Sequence, residues 1–263
     1  MILRIGVYQI IISNNITENL KAIEEALNNA KKQDVELAVF AECALTGYPS
    51  RDIETSAVID YECVEKACKR LENLADKLSL SFIVGTAYKE NENIYNRAIL
   101  FQSGATQILY DKRALWGWDR DNFVPGTRLG IFEFNNIRIG IRICYEVRFP
   151  EYFRELYKEN TDLNIILFYD VADSDDMGRY NMIKGHIQTR AVENVCTTIS
   201  VNAITPFQTA PTAVFGPSGQ IINECKRNVP DHIIYDFEKS ELNFGEQGRK
   251  WISDFWVLEA SKD

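Results

Sequence analysis

The chain has 263 residues, 46% hydrophobic and 25% charged, a globular composition that excludes a disordered or fibrous protein and suits one large domain. Its 29 Lys and Arg against 38 Asp and Glu leave a net charge of −9, which argues against broad binding of nucleic acid or an anionic membrane and points to small molecules. No apolar run reaches the ~18 residues of a membrane span, and the opening Met1 to Ile10 lacks the basic start and cleavage site of a signal peptide, so a cytoplasmic protein is expected.

Residues 2–10 are predicted as the first strand. Ile16, Leu20, Ile23, Leu27 and Ala30 then recur at helical spacing behind the cap-type Asn15 and Thr17, which predicts an amphipathic helix over 17–32. The formal glycosylation acceptor Asn15-Ile16-Thr17 is better read as that helix start. The apolar run Val35 to Ala41 is of strand length and delivers Glu42 at its C-terminal end. Val64, Cys68, Leu71, Leu74, Ala75 and Leu78 mark a second helix over 60–78. Phe82–Tyr88, Arg97–Gln102 and Thr106–Tyr110 read as strands separated by Asn-rich or Ser-Gly turns. Ile131–Phe134 and Ile137–Cys144 form a hairpin about Asn135-Asn136. There follow a helix over 150–159, a strand Leu163–Tyr169, a helix over 178–194, strands Val195–Val201, Ala213–Phe215, Gln220–Asn223 and Ile233–Phe237, and a last helix over 238–249. No linker, low-complexity stretch or repeat interrupts them, so the chain reads as one α/β domain with mixed sheets.

The six cysteines are expected as reduced thiols, because the chain is long, unsignalled and not Cys-dense. A zinc site lacks support: Cys63 and Cys68 are the one close pair, and His186 and His232 lie far away. Phosphate-cradling, dinucleotide-binding and Gly-x-Ser-x-Gly motifs are all missing. With two histidines in the chain, catalysis would have to move protons by another group.

Three residues offer such chemistry. Cys144 closes an apolar strand ahead of a helix start, where backbone N–H groups and a positive dipole end would lower a thiol pKa and stabilise an oxyanion. Glu42, at the end of its strand, would have its pKa raised by burial towards that of a general base. Lys112, in Tyr110-Asp111-Lys112-Arg113-Ala114-Leu115, would supply a fixed cation to a developing oxyanion.

Taken with the turn Thr46-Gly47-Tyr48-Pro49, the segment Phe123-Val124-Pro125-Gly126, the run from Cys144 through Tyr145, Glu146, Arg148 and Pro150 to Glu151, the helix ending Arg190-Ala191-Val192-Glu193-Asn194, Asn202 and the turn Gly216-Pro217-Ser218-Gly219, these residues resemble the nitrilase superfamily of carbon–nitrogen hydrolases. The resemblance spans nearly the whole chain. It implies a four-layer α-β-β-α sandwich over residues 1–263 and a cofactor-independent, metal-free amidase with a Glu-Lys-Cys triad. In it Cys144 is the nucleophile, Glu42 the general base and Lys112 the cation, with the Tyr145 N–H as a further oxyanion donor. Asp119 stands where many members carry a second glutamate. Tyr48, Tyr145, Glu146, Arg148 and Asp170 are the candidate substrate contacts.

The sequence departs from the family pattern at Ala41, Ala114, Asp119 and Tyr169-Asp170-Val171-Ala172. A small linear amide is the expected substrate; nitriles, N-carbamoyl amides, or a binding protein without turnover are the alternatives. The resemblance also implies a homodimer or higher homo-oligomer, and Trp251, Phe255 and Trp256 of the tail (about 249–263), more apolar than a solvated tail, are expected at the interface. Finally, Asp170, Asp173, Asp175 and Asp176 crowd one loop, which predicts a preference for neutral or amine-bearing amides over those with a free carboxylate; the cations that would reverse it are Arg142, Arg148 and Arg179.

Overall fold

Strand and helix alternate along the chain as the hydrophobic pattern requires, and a computed structural model describes residues 2–259. The strands are β1 (Ile2–Gln9), β2 (Leu37–Phe40), β3 (Ser81–Glu90), β4 (Asn93–Phe101), β5 (Ile108–Asp111), β6 (Ile131–Phe134), β7 (Ile137–Ile143), β8 (Leu163–Phe168), β9 (Val171–Ala172), β10 (Thr197–Asn202), β11 (Phe207–Gln208), β12 (Ala213–Phe215), β13 (Ile221–Glu224) and β14 (Asp231–Glu238). The helices are α1 (Ile16–Lys32), α2 (Tyr61–Leu78), α3 (Trp118–Asn122), α4 (Pro150–Lys158), α5 (Met177–Asn194) and α6 (Phe244–Asp254).

Two six-stranded sheets, ordered β14-β1-β2-β3-β4-β5 and β13-β12-β10-β8-β7-β6, carry the fold. In the first, β1, β2 and β3 run parallel, and in the second β7, β8 and β10 do; the flanking strands pair antiparallel. Leu3, Ile5 and Val7 of β1 and Ile139, Ile141 and Ile143 of β7 belong to one core with Ile165, Leu167, Ile199 and Val201. The alternate residues Ile166 and Phe168 instead join Phe153, Leu156, Ile183 and Ile187 beneath α4 and α5. Leu20, Ile23 and Leu27 of α1 and Val64 and Leu71 of α2 cover the first sheet. The result is the α-β-β-α sandwich, in which the central strands β2, β8 and β10 bury both faces while the edge strand β13 stays exposed. Among the described residues no helix is long and apolar enough to cross a membrane.

Local chemistry explains most boundaries. Asn15 caps α1, its side chain accepting from the Thr17 and Glu18 N–H groups. Asn135 and Asn136 both take positive φ, 50° and 57°, the conformation a two-residue hairpin needs. The last helix is displaced from the expected 238–249: β14 continues to Glu238, and α6 starts where Asn243 and Glu246 form a capping box. Val195, expected in a strand, is the left-handed C-cap of α5. α3 and the β9–β11 pair were not foreseen.

Parallel β2 and β7 leave Glu42 and Cys144 just beyond their C-terminal ends. Gly85 in β3 is part of that placement, because a Cβ there would lie 2.4 Å from the Ala41 carbonyl oxygen and 2.7 Å from the Glu42 Cα. Both are backbone atoms and cannot swing aside. Gly85→Ala is therefore expected to cost about 1–3 kcal/mol of stability in a denaturant titration and to reduce turnover further by shifting Glu42.

Candidate active site

Glu42, Lys112 and Asp119 meet in one buried ion cluster. The Lys112 Nζ lies 2.8 Å from Glu42 Oε1 and 2.7 Å from Asp119 Oδ2, and all three side chains are nearly inaccessible to water. The remaining carboxylate lone pairs are also used. Asn96 Nδ2 donates to Glu42 Oε1 at 2.6 Å, the Tyr169 N–H to Glu42 Oε2 at 2.7 Å, and the Tyr48 hydroxyl to Asp119 Oδ1 at 2.6 Å. Such satisfaction is what makes buried charges tolerable. Burial pushes the Glu42 carboxyl above the ordinary carboxylate range, against the pull of Lys112. Burial alone would lower the Lys112 ammonium, but Asp119 and Glu42 outweigh it and hold its pKa well above the usual lysine value.

The backbone around the cluster is equally fixed. Lys112 donates its N–H to the Asn96 carbonyl at 2.9 Å and accepts from the Gly126 N–H at 3.0 Å. A Cβ at Gly126 would lie 2.3 Å from the Asp111 carbonyl oxygen, so the glycine of Phe123-Val124-Pro125-Gly126 permits that close approach. Asn122, at the end of α3, accepts from the Ser56 N–H at 2.6 Å and receives the Ser56 hydroxyl on its carbonyl at 2.8 Å. These bonds anchor the helix that presents Asp119.

Cys144 opens a 3-10 turn, Cys144–Arg148, with φ of 44°, a left-handed conformation unusual for a side-chain-bearing residue. The expected lowering of its pKa is not what the structure gives. Burial and then the negative field of Glu42 push the thiol well above its ordinary value, with Lys112 opposing them. Burial beside Glu42 is the physical reason, and α4 begins only at Pro150, so no long helix dipole is aimed at the sulfur to offset it.

Glu146, expected as a substrate contact, is a structural strut. It is fully buried; its Oε1 accepts from the Tyr110 hydroxyl and the Arg113 N–H, and its Oε2 from the Ile143 N–H, each at 2.7 Å. Arg148 stacks over the Tyr145 ring at 5.4 Å and does not line the pocket. Arg142 lies on the helix side of β7, fully buried, donating to the carbonyls of Leu129, Ile141 and Tyr152 at 2.6–2.8 Å. The other candidates converge: Tyr48, Lys112, Asp119, Cys144, Tyr145 and Asp170 line a cavity of about 180 Å³, with Glu42 reached through Lys112.

Arg51, Trp116, Trp118, Tyr169, Val171 and Arg179 complete its wall. Tyr48 and Tyr169 stack at 5.0 Å, clamped by Asp52, which accepts from the Tyr48 N–H and the Tyr169 hydroxyl at 2.7 Å each. A cleft of about 330 Å³ also has Cys196, Asp162, Lys239 and Lys250 in its wall, but its ion pair, Lys239 to Asp162 at 2.6 Å, is half exposed on the lysine side, and one of about 630 Å³ beside Tyr8 has no thiol in its lining.

The acidic loop is not a free carboxylate cluster. Asp170 binds Arg179 through two 2.8 Å bonds, Asp173 binds Arg51 at 2.8 Å, Asp175 binds Arg227 at 2.5 Å, and Asp176 caps α5. Only Asp170 of the four reaches the pocket. The basis for a preference for amine-bearing amides is removed, because the negative charges are spent on neighbouring arginines and a helix end.

Among the described residues no group of three or more His, Cys, Asp and Glu side chains is arranged to hold a metal ion. Asn96, Asp52, Arg51 and the two tryptophans were not anticipated. Lone polar residues of strand β4 and of the loop after Pro49 carry no motif, although adjacent tryptophans in a net-polar stretch hint at a rim.

The family model described as Carbon-nitrogen hydrolase matches residues 4–243. An (R)-stereoselective amidase of Pseudomonas sp. is 23% identical over 247 residues, covering 91% of this chain and 85% of that protein. A probable nitrilase of Schizosaccharomyces pombe is 24% identical over 233 residues, covering 85% of this chain and 82% of its own length. A cysteine-to-alanine mutant of the amidase of Nesterenkonia sp. AN1, solved in complex with butyramide, superposes with a TM-score of 0.79 at 23% identity, over 89% of this chain and 90% of that one.

Proposed function

The chain belongs to the carbon–nitrogen hydrolase family, and on that premise we propose that it hydrolyses the C–N bond of a small linear amide, releasing ammonia and a carboxylic acid. The observation that carries this reading is the lysine held between two buried carboxylates at a pocket into which Cys144 opens.

In this reading the raised thiol pKa dictates the first step. Cys144 is protonated at rest, so its attack on the amide carbonyl must be coupled to proton transfer to Glu42, whose own raised pKa suits it to the task. Lys112 and the Tyr145 N–H stabilise the tetrahedral oxyanion. Protonated Glu42 returns its proton to the leaving nitrogen, ammonia departs, and a thioester remains. Water, deprotonated by Glu42, attacks that thioester and the acid leaves with the thiol restored. Asp119 takes no proton in this scheme; with Tyr48 it fixes the position of Lys112.

Acrylamide tests the nucleophile on the Glu42→Gln variant, as it adds to the active-site cysteine of a Nesterenkonia amidase mutant in which a glutamate is replaced by glutamine. Intact mass should show one adduct, located at Cys144 by peptide mapping, and the wild type should release ammonia from butyramide. A panel including nitriles and N-carbamoyl compounds decides the C–N bond attacked. An adduct at another cysteine, or no ammonia from any amide, sinks the reading.

The partner is proposed as a second copy of this chain. α6 turns its polar side inward, with Tyr157 donating to Asp254 at 2.6 Å and Arg154 to Ser253 at 3.3 Å, while Trp251, Ile252, Phe255 and Trp256 are 49–72% exposed. A contiguous aromatic face of this kind marks an interface. Of the tail expected there, residues 260–263 lie outside the described residues. Truncation after Gly248 should convert a dimer to a monomer in light scattering; an unchanged dimer would place the interface elsewhere.

A further inference from the structure

The site is assembled from two sheets. Lys112 follows β5 of the first and Cys144 follows β7 of the second, and between them the sheets share an apolar core that includes Val7 and Val39 on one side and Ile141 and Ile165 on the other. Apolar packing is strong but non-directional, so it does not by itself fix where the lysine stands relative to the sulfur. Hydrogen bonds that cross from sheet to sheet do.

Two buried carboxylates make such bonds, in opposite directions. Glu42, just past β2, accepts from the N–H of Tyr169, which follows β8 of the second sheet. Glu146, two residues past the nucleophile, reaches the other way. Its Oε1 accepts the Tyr110 hydroxyl and the Arg113 N–H from the first sheet, while its Oε2 accepts the Ile143 N–H at the end of β7. The groups it holds bracket the reacting residues: Lys112 lies between Tyr110 and Arg113, and Cys144 directly follows Ile143.

The chemistry of Glu146 suits a fastening and not a reactant. It is fully buried and outside the set of residues that line the cavity. Two of its three donors are backbone N–H groups. The third, Tyr110, is kept a donor because burial and then the Glu146 charge push its hydroxyl well above the ordinary tyrosine pKa. Taking a carboxylate out of water is costly even when each oxygen is used, and an apolar side chain would avoid that cost. What the planar carboxylate supplies instead is direction.

We propose that Glu146 is a positioning residue for the oxyanion site: by tying the Lys112 segment to the Cys144 turn across the two sheets, it sets the lysine ammonium and the Tyr145 N–H at the spacing one carbonyl oxygen needs. The proposal rests on the amidase reading above, in which those two donors stabilise the tetrahedral intermediate.

Glu146→Gln is the sharpest probe, since one acceptor oxygen becomes an amide nitrogen facing a backbone N–H. Tyr110→Phe removes one cross-sheet bond, leaves no donor unpaired, and decides the matter if the first variant does not fold. Butyramide and thiobutyramide are compared on each protein, because sulfur is a weak acceptor that gains little from aligned donors. The butyramide-to-thiobutyramide ratio of kcat/KM should fall about tenfold or more in Glu146→Gln, as when oxyanion stabilisation is lost, and by less in Tyr110→Phe. Loss of folded enzyme cancels in that ratio, so a wild-type ratio in both variants overturns the proposal.

Butanal gives a reading that needs no turnover. The Cys144 sulfur adds to its carbonyl carbon and the thiol proton passes to the oxygen, forming a hemithioacetal whose oxygen takes the oxyanion position. Calorimetry, with Cys144→Ala as the blank, should show butanal binding weakened about tenfold or more in Glu146→Gln. Weakened binding without wild-type turnover of any amide refutes hydrolysis and keeps the positioning role. Butanal bound equally by the wild type and both variants, or by none of them, refutes the role whatever the turnover.

Discussion

Cys144→Ala is expected to lower kcat by about 10⁴- to 10⁶-fold, the penalty for losing a nucleophile whose partners act as a unit, measured as ammonia release from the best amide of the panel. The same position makes a second, opposite demand on stability. Its φ of 44° costs a Cβ-bearing residue about 1 kcal/mol or more, and alanine keeps that cost. Cys144→Gly, equally inactive, should therefore unfold at higher denaturant concentration than Cys144→Ala, by about 0.5–1 kcal/mol less the added unfolded-state entropy of glycine. Full turnover by either variant would refute the assignment of the nucleophile. Equal stability of the two would show that the surrounding turn, and not the residue, sets the backbone.

Lys112→Met should be the most damaging substitution to the fold. It leaves Glu42 and Asp119 facing one another with no cation, and removing one partner of a buried ionic cluster costs about 3–5 kcal/mol. Turnover should fall as well, by about 10²–10³-fold where an oxyanion donor is lost. The pH dependence follows from sign. Glu42 already has a folded-state pKa above its usual value, and loss of the lysine moves it further up. A carboxyl with a raised folded pKa contributes stability that is present below its unfolded pKa and lost as pH rises through the folded one. The gap in Tm between wild type and variant should therefore be widest at neutral and alkaline pH and narrow in acid. A gap that widens in acid would mean that the lysine does not stabilise the Glu42 carboxylate.

Most of the architecture could be read from periodicity, because the central strands bury both faces and the helices bury one. Hydrophobic alternation gave β1, β6, β7 and β12 to within a residue, and the spacing in α1 and α2 placed both helices. Errors collected where hydrogen bonds outside the periodic pattern decide: at Cys144, where Glu146 turns the chain from the strand, and at Asn243, which fixes the start of α6. The site divides in the same way. Glu42, Lys112 and Cys144 lie at element ends within recognisable motifs, whereas Asn96 sits mid-strand with nothing in its neighbours to distinguish it. Glu146 and the four aspartates were misread for one reason: a charged residue in the sequence does not disclose whether its charge is free or already spent on an arginine or a backbone N–H.

The pairing of Ile2–Gln9 with Asp231–Glu238 also has a bearing on how the protein is made. Elongation at about 5–20 residues per second separates emergence of the two strands by roughly 10–50 s. Through that interval the nascent first strand, with Leu3, Ile5 and Val7 on one side, has an unpaired edge of the sort that recruits other chains. Closing so long a loop is cheap at equilibrium, since its entropy grows only logarithmically, but it makes completion of the first sheet a late event. Ribosome-bound chains halted after β13 should accordingly hold the second sheet before the first, and chaperone demand should track the delay between the two strands more closely than overall stability.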